Sequence, residues 1–245
     1  SIIDRFNDLL DFGHSVYLVS QYQYDFYSAM AKRVNKKFKI TGFLNPAFAE
    51  ERKEISKVKY EVGTIGRCDA QKNPFLLKSL LRNTKMSHLV ITSKPNESNT
   101  EQKYLNDNIR YYNRQNLDDP NTLWDLPHKE VIGNISQCRT YFSTWHAETW
   151  GITALEALSC GVPIILNGKN GKHASTDIAS SPRHYKVIPH NDEEELIKAV
   201  HSFRNVDRKE IQQMTLEKHS KLKWKTQIMD AIHHTIEHYN KNRID

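Results

Sequence analysis

Two glutamates eight residues apart, Glu148 and Glu156, bracket a strand–loop–helix junction in the run Ser143-Thr-Trp-His-Ala-Glu148-Thr-Trp150-Gly151-Ile-Thr-Ala-Leu-Glu156-Ala-Leu-Ser-Cys-Gly161-Val-Pro163. A helix that starts at Gly151 turns the backbone N–H groups of Gly151, Ile152 and Thr153 outward at the positive end of its dipole, which suits an anion. Glycine also removes the Cβ that would hold a ligand off the backbone. Glu156, about one and a half turns along that helix, can accept hydrogen bonds from the two hydroxyls of a ribose. Glu148, in the loop before it, lies nearer a reacting sugar. A diphosphate on the amides and hydroxyls on the acids is the chemistry of a nucleotide-sugar site.

Two glutamates at this spacing arise easily by chance in a chain with 29 acidic residues among 245. The flanking Gly151, the turn Ser159-Cys-Gly-Val-Pro163 and the strands on both sides lift the pair above coincidence. Trp145 and Trp150 could stack on a sugar or base, although burial against the sheet is the commoner fate of such rings. His146 could hydrogen-bond the sugar or the acceptor, or simply cap the loop.

A second candidate is Gly63-Thr-Ile-Gly66-Arg67-Cys-Asp-Ala-Gln-Lys72-Asn, where a strand ends and two cations follow before the next helix. Arg67 offers a planar fork suited to phosphate oxygens and Lys72 a point charge. In open α/β sheets, ligands sit beyond the carboxyl ends of the strands. Both segments are expected at that edge.

Short apolar runs alternate with helical stretches, the pattern of an α/β protein with a doubly wound parallel sheet. Strands are expected at Val16–Ser20, Phe38–Gly42, Glu61–Gly66, His88–Thr92, Thr122–Leu126, Thr140–Ser143, Pro163–Leu166 and Tyr185–Ile188. Helices are expected at Ile2–Leu10, Tyr24–Arg33, Asn73–Leu81, Glu101–Tyr112, Lys129–Gln137 and Gly151–Ser159. Asn191-Asp-Glu-Glu194 resembles a capping box opening a helix to Phe203. A last helix over Lys209–Asn240 would outrun a domain's width, so a break near Leu222–Trp224 is expected. The division read from this is 1–48 as the end of a preceding Rossmann-like domain, 49–60 as linker, 61–206 as the main Rossmann-like domain and 207–245 as terminal helices.

Lys and Arg exceed Asp and Glu by 35 − 29 = 6, and the excess is spread along the chain. Such a balance permits an acidic partner without requiring one. The three cysteines, Cys68, Cys138 and Cys160, show no CxxC spacing, which argues against a zinc knuckle or a disulfide framework and for a reducing cytoplasm. No apolar run approaches the ~20 residues that span a bilayer. A chain that opens on Ser, already in helical pattern, is expected to be the later part of a longer protein.

With these residues in view, the pattern Gly66-Arg67-x4-Lys72, then Glu148-x-Trp150-Gly151-x4-Glu156-Ala-x3-Gly161-Val-Pro163, looks like that of retaining glycosyltransferases of the two-domain GT-B type. That group includes sucrose and glycogen synthases and many bacterial and phage sugar transferases. The similarity covers roughly residues 35–225, with Ile40–Phe48 resembling the inter-domain linker. Trp150 stands where Phe is usual, and Thr92-Ser-Lys-Pro95 replaces a glycine-containing turn. The resemblance implies a GT-B C-terminal domain that binds a nucleotide-sugar donor, a UDP-sugar above others, with the end of an N-terminal domain before it. It implies that Arg67 and Lys72 neutralise the departing diphosphate and that the amides of Gly151–Thr153 cradle it. Glu156 would hold the ribose, Glu148 would touch the donor sugar, and Trp150 and His146 would complete the donor site. It implies no metal cofactor. The acceptor is left open among a hydroxymethylated base in DNA, as in phage DNA glucosyltransferases, a glycan and a lipid. The competing reading is a non-catalytic nucleotide-sugar-binding or DNA-binding module.

Overall fold

A computed structural model describes residues 1–50, 55–69, 71–94, 120–148, 150–169 and 171–241. The helix expected at Glu101–Tyr112 and part of the expected linker lie outside the described residues. Six strands form one parallel sheet: β3 (Tyr60–Gly66), β4 (His88–Thr92), β5 (Thr122–Trp124), β6 (Cys138–Ser143), β7 (Ile164–Asn167) and β8 (Tyr185–Ile188). Their spatial order is β5-β4-β3-β6-β7-β8. The chain therefore builds outward from β3 in one direction, then returns to the other side of β3 and builds the opposite way. The reversal falls between β3 and β6, and a crevice at the carboxyl ends of those two strands is the natural ligand position.

Near-continuous apolar strands are what a sheet covered on both faces demands. Tyr141, Ile164 and Leu166 pack on one face with α4 (His128–Ile135), α5 (Ile152–Ser159) and α7 (Arg208–Lys218), through Ile135, Leu155, Leu158 and Ile211. Val62, Val90, Phe142 and Ile165 face the other way, against α3 (Leu76–Leu81) and α6 (Glu193–Ser202), through Phe75, Leu77, Leu196 and Val200. The alternation of Tyr141 with Phe142, and of Ile164 and Leu166 with Ile165, is the period-2 geometry of a strand.

Ahead of this sheet, α1 (Ile2–Asp11) and α2 (Gln21–Arg33) enclose a small core of Ile3, Leu18, Ala31 and Phe38 beside a two-stranded parallel ribbon, β1 (Tyr17–Leu18) with β2 (Gly42–Phe43). The strand expected at Phe38–Gly42 begins only at Gly42, and β1 is shorter than expected as well. Phe38 goes instead into the aromatic cluster with Phe6 and Tyr27. The terminal helix α8 (Lys221–Lys241) returns to this segment, where Tyr17 Oη donates to the Ala231 carbonyl at 3.4 Å and His238 Nδ1 lies 3.1 Å from the Gly13 carbonyl. No helix among the described residues is long and apolar enough to cross a membrane.

The break in the last helical stretch comes at His219 and Ser220, earlier than the expected Leu222–Trp224. Its cause is a distant segment: Lys218 Nζ donates to the carbonyls of Asp177 and Ala179, and His219 Nε2 to that of Ile178. Those bonds turn the chain before Trp224, whose Nε1 donates to the Asn45 carbonyl at 3.1 Å.

Candidate functional site

The loop after β3 is the front wall of the crevice. Asp69 shapes it by accepting from the Lys72 N–H through Oδ1 at 2.7 Å and from the Asn73 N–H through its carbonyl at 2.8 Å. Asn73 then takes φ +41°, so α3 starts at Leu76 rather than at the expected Asn73. The turn aims Lys72 inward and leaves Arg67 at the mouth, its side chain 62% exposed. Lys72 Nζ pairs with Glu148 Oε2 at 2.6 Å. Arg67 Nε pairs with Asp69 Oδ2 at 3.1 Å, and its Nη2 donates to Gln71 Oε1 at 3.3 Å.

The back wall is the loop after β6 and the start of α5. Thr144 Oγ1 donates to the Lys72 carbonyl, which joins the two walls. Asn167, at the end of β7, donates to the Thr144 carbonyl at 2.7 Å and accepts from the Asn191 N–H at 2.9 Å. His173 is buried, its Nε2 2.9 Å from the Trp145 carbonyl while its Nδ1 accepts from the Ser175 N–H at 3.1 Å. A carbonyl can only accept and an N–H can only donate, so this imidazole is neutral with its proton on Nε2. Burial pushes its pKa down, ahead of the opposing bond to the Trp145 carbonyl.

Gly151 is the N-cap of α5 with φ +97° and no side chain to cap the helix. The amides of Ala154 and Leu155 bond back to its carbonyl, as the first turn requires, so those of Ile152 and Thr153 have no acceptor within the helix. The need for glycine differs from the expected one. A Cβ at this position would come 2.3 Å from the buried Ser175 Oγ and 3.4 Å from Glu148 Cγ. The space it vacates is filled by protein, and the left-handed backbone is what turns the chain from loop to helix.

Together these elements line a cleft of about 570 Å³ that includes Arg67, Lys72, Glu148, Trp150, Gly151, Ile152 and Thr153. Seven of the nine sequence-predicted site residues thus share one cleft at the switch point of the sheet. Trp150 contributes little surface, being 3% exposed and edge-on to His219, with ring centroids 5.8 Å apart. Beneath the helix start, Tyr141 Oη and Thr153 Oγ1 are 2.8 Å apart, and burial pushes the tyrosine pKa well up.

Two residues stand apart from this group. Glu156 opens on an adjoining pocket with His128, the two pockets sharing Pro46 and Ile152 as lining. His146 lies between Trp145, to which its ring is tilted, and His190, which it meets edge to face, with centroids 4.7 and 4.8 Å away, and is not among the cleft-lining residues. Its pKa is lowered by burial first, then by His190 and Lys169.

Residues 47–215 match the family described as "Glycosyl transferases group 1". The chain belongs to this family. Among solved structures, the fold of this group 1 glycosyl transferase is similar to that of TarM, with TM-score 0.64 and 12% identity over 94% of this chain and 45% of that one. It is also similar to sucrose-phosphate synthase from Thermosynechococcus elongatus, with TM-score 0.66 and 13% identity over 91% of this chain and 58% of that one. Anabaena Alr3699/HepE, solved in complex with UDP and glucose, gives TM-score 0.64 and 14% identity over 89% of this chain and 62% of that one. The chain thus spans about half the length of the structures it resembles. No curated protein matches it by sequence. The parallel six-stranded sheet with helices on both faces is the Rossmann-like fold of GT-B glycosyltransferases.

Asn167, His173 and Ser175 carry the back wall and have no short-range signal. Asp69 was legible in principle, since an aspartate shortly before Asn-Pro is a turn former.

Proposed function

We propose that this chain carries the donor site of a retaining glycosyltransferase that moves a sugar from a UDP-sugar to an acceptor hydroxyl. The observation that carries the reading is the convergence of Lys72, Arg67 and the open amides of Ile152 and Thr153 on one cleft at the sheet's switch point. The diphosphate lies on those amides with Lys72 and Arg67 against its oxygens, and no metal is required to balance its charge. As the bond between the anomeric carbon and the β-phosphate oxygen breaks, negative charge grows on that oxygen. Fixed cations and amides already placed there lower the barrier without reorganising. The acceptor oxygen bonds to the same face of the carbon and its proton passes to the departing phosphate. Glu148, paired with Lys72 in the cleft, is placed to bond the donor sugar. UDP as the nucleotide is supported by the complex of the HepE relative. Three cysteines that are all buried, with no CxxC spacing, accord with a reducing compartment such as the cytoplasm. Residues 1–48 read as the end of a preceding domain, 49–60 as linker, 61–206 as the donor domain and 207–245 as terminal helices.

Incubation with UDP-, GDP- and ADP-sugars tests the reading directly. Free UDP is expected to appear, and calorimetry is expected to show UDP binding that weakens about tenfold in Lys72→Ala and less in the more exposed Arg67→Ala. Binding without release would leave a nucleotide-sugar-binding module. Unchanged binding in both variants would remove the site. Among acceptors, a modified DNA duplex predicts a mobility shift that fades steeply with salt, whereas a neutral glycan does not.

A further inference from the structure

The adjoining pocket, about 230 Å³, is lined by Phe48, His128, Ile152, Leu155, Glu156 and Trp224 among others. At its mouth, His128 Nε2 lies 2.7 Å from Glu156 Oε1. The histidine is 62% exposed and the glutamate 20%, so burial does not force them together. What fixes the approach is the scaffold. His128 begins α4 behind Pro127, an N-cap that gives the helix no side-chain bond, and Glu156 lies on the outer turn of α5. At their far ends the two helices are tied to one guanidinium: Arg208 Nη2 donates to the Ser136 carbonyl after α4 at 2.7 Å and to the Cys160 carbonyl after α5 at 3.2 Å. The pair therefore spans two helices that cannot easily slide.

A carboxylate with one oxygen held has lost most of its freedom to rotate, so its second oxygen is presented in one orientation. Among the described residues, no hydrogen bond to Glu156 Oε2 is seen. We propose that His128 is a positioning residue: by holding Oε1 it turns Oε2 of Glu156 to the ribose 2′-hydroxyl, so that the pair selects ribonucleotide over deoxyribonucleotide donors. The inference rests on the nucleotide-diphosphate reading above and deepens it. A site built to bond a hydroxyl disfavours the analogue that lacks it, because its acceptor is then left unpaired. Without His128 the glutamate still accepts bonds but must first be ordered, and the advantage of the 2′-hydroxyl shrinks.

Calorimetric titration of the whole chain with UDP and with 2′-deoxy-UDP separates the possibilities. The unaltered protein is expected to prefer UDP by about tenfold. His128→Ala should reduce that ratio to about twofold, by weakening UDP while leaving 2′-deoxy-UDP as it was. His128→Gln, whose amide can donate to the same oxygen, should recover most of it. A merely structural histidine would weaken both nucleotides together and leave their ratio intact. An unchanged ratio in His128→Ala, or no rescue by glutamine, overturns the proposal while the donor site stands. Failure of the unaltered chain to bind either nucleotide overturns the donor reading and this inference with it.

Discussion

At its carboxyl end, α5 hands its last carbonyls to side chains; at its amino end the amides of Ile152 and Thr153 show no acceptor among the described residues. Gln212 Nε2 donates to the Ser159 carbonyl at 3.1 Å, Arg208 Nη2 to that of Cys160 at 3.2 Å, and Arg208 Nε to that of Gly161 at 3.1 Å. A cation at this end also meets the negative pole of the helix dipole. The opposite end has a glycine cap without a side-chain bond. One helix is thus anchored through the end far from the cleft and, among the described residues, left without acceptors for its first amides at the end that faces it. The contrast teaches where each kind of residue is needed: rigidity is supplied at a distance, so that open donors can be held still for an anion.

The largest test of that contrast is Arg208. Beyond α5, its Nη1 reaches the Ser56 carbonyl and its Nη2 the Ser136 carbonyl, so one side chain ties two helix ends to the segment before β3. Burial pulls its pKa down from the usual guanidinium value, yet it stays charged. The neighbouring Cys138 thiol is pushed up to about 12 by burial, against the pull of Arg208. Arg208→Met strands several carbonyls and is expected to cost about 3–4 kcal/mol in urea unfolding. Arg208→Lys should recover only a minor part, because an ammonium cannot span the same fork of acceptors. UDP affinity of the folded Arg208→Met protein should change less than threefold if the two ends do separate jobs; a loss matching the stability change would show that they do not.

At the amino end the expected effect is next in size. Gly151→Ala meets two independent obstacles: a left-handed backbone, and a Cβ 2.3 Å from Ser175 Oγ. Together they should destabilise by about 2–3 kcal/mol. Ser175 Oγ is buried and has no hydrogen-bond partner among the described residues. Ser175→Gly in the Gly151→Ala background should therefore relieve the clash while about 1 kcal/mol of backbone strain persists. Full recovery in the double variant would mean that the backbone at Gly151 relaxes, and the difference between the helix ends would be smaller than it looks.

The same contrast explains what could be read from residue types alone. Strands β3, β4, β6, β7 and β8 and helix α5 are written locally, in apolar runs closed by Gly-x-Pro or preceded by glycine, and local patterns survive folding. Both cations and Glu148 follow strand ends, so their common edge comes from the winding rule. The back wall is built otherwise. His173 reaches Trp145 across 28 positions, and at the far end of α5 Arg208 reaches Ser56 across 152. Neither carries a signal at its own place in the chain. The helix that carries Glu156 is legible, but its place in the adjoining pocket is not, because its partner His128 sits on α4, whose angle to α5 no spacing encodes. The ribbon of β1 and β2 is shorter than the apolar pattern suggests, because two paired residues on each strand are too few to impose a period.

The smallest expected effect concerns pH, and it again separates the scaffold from the open amides. His173 and His219 are buried, and burial is the first cause lowering both pKa values. His219 Nε2 donates to the Ile178 carbonyl at 2.8 Å, while its Nδ1 is buried without a hydrogen-bond partner among the described residues and Lys218 and Lys223 add positive charge. Protonating His173 Nδ1 would set it against the Ser175 N–H it now accepts. Both residues therefore stay neutral in the folded chain at pH values where the unfolded chain takes up protons, below about 6.5. A lowered folded-state value of this kind leaves stability whole above the unfolded pKa and removes it as pH falls from there towards the folded pKa. The melting temperature should accordingly drop between about pH 7 and pH 5, and His219→Gln, keeping a donor for the Ile178 carbonyl, should flatten that slope. UDP affinity across the same window is expected to move little in His219→Gln, since His219 is not among the cleft-lining residues and meets them through the buried Trp150 ring. A slope unaltered by His219→Gln and by His173→Gln would assign the acid sensitivity elsewhere and leave the back wall's histidines as passive packing.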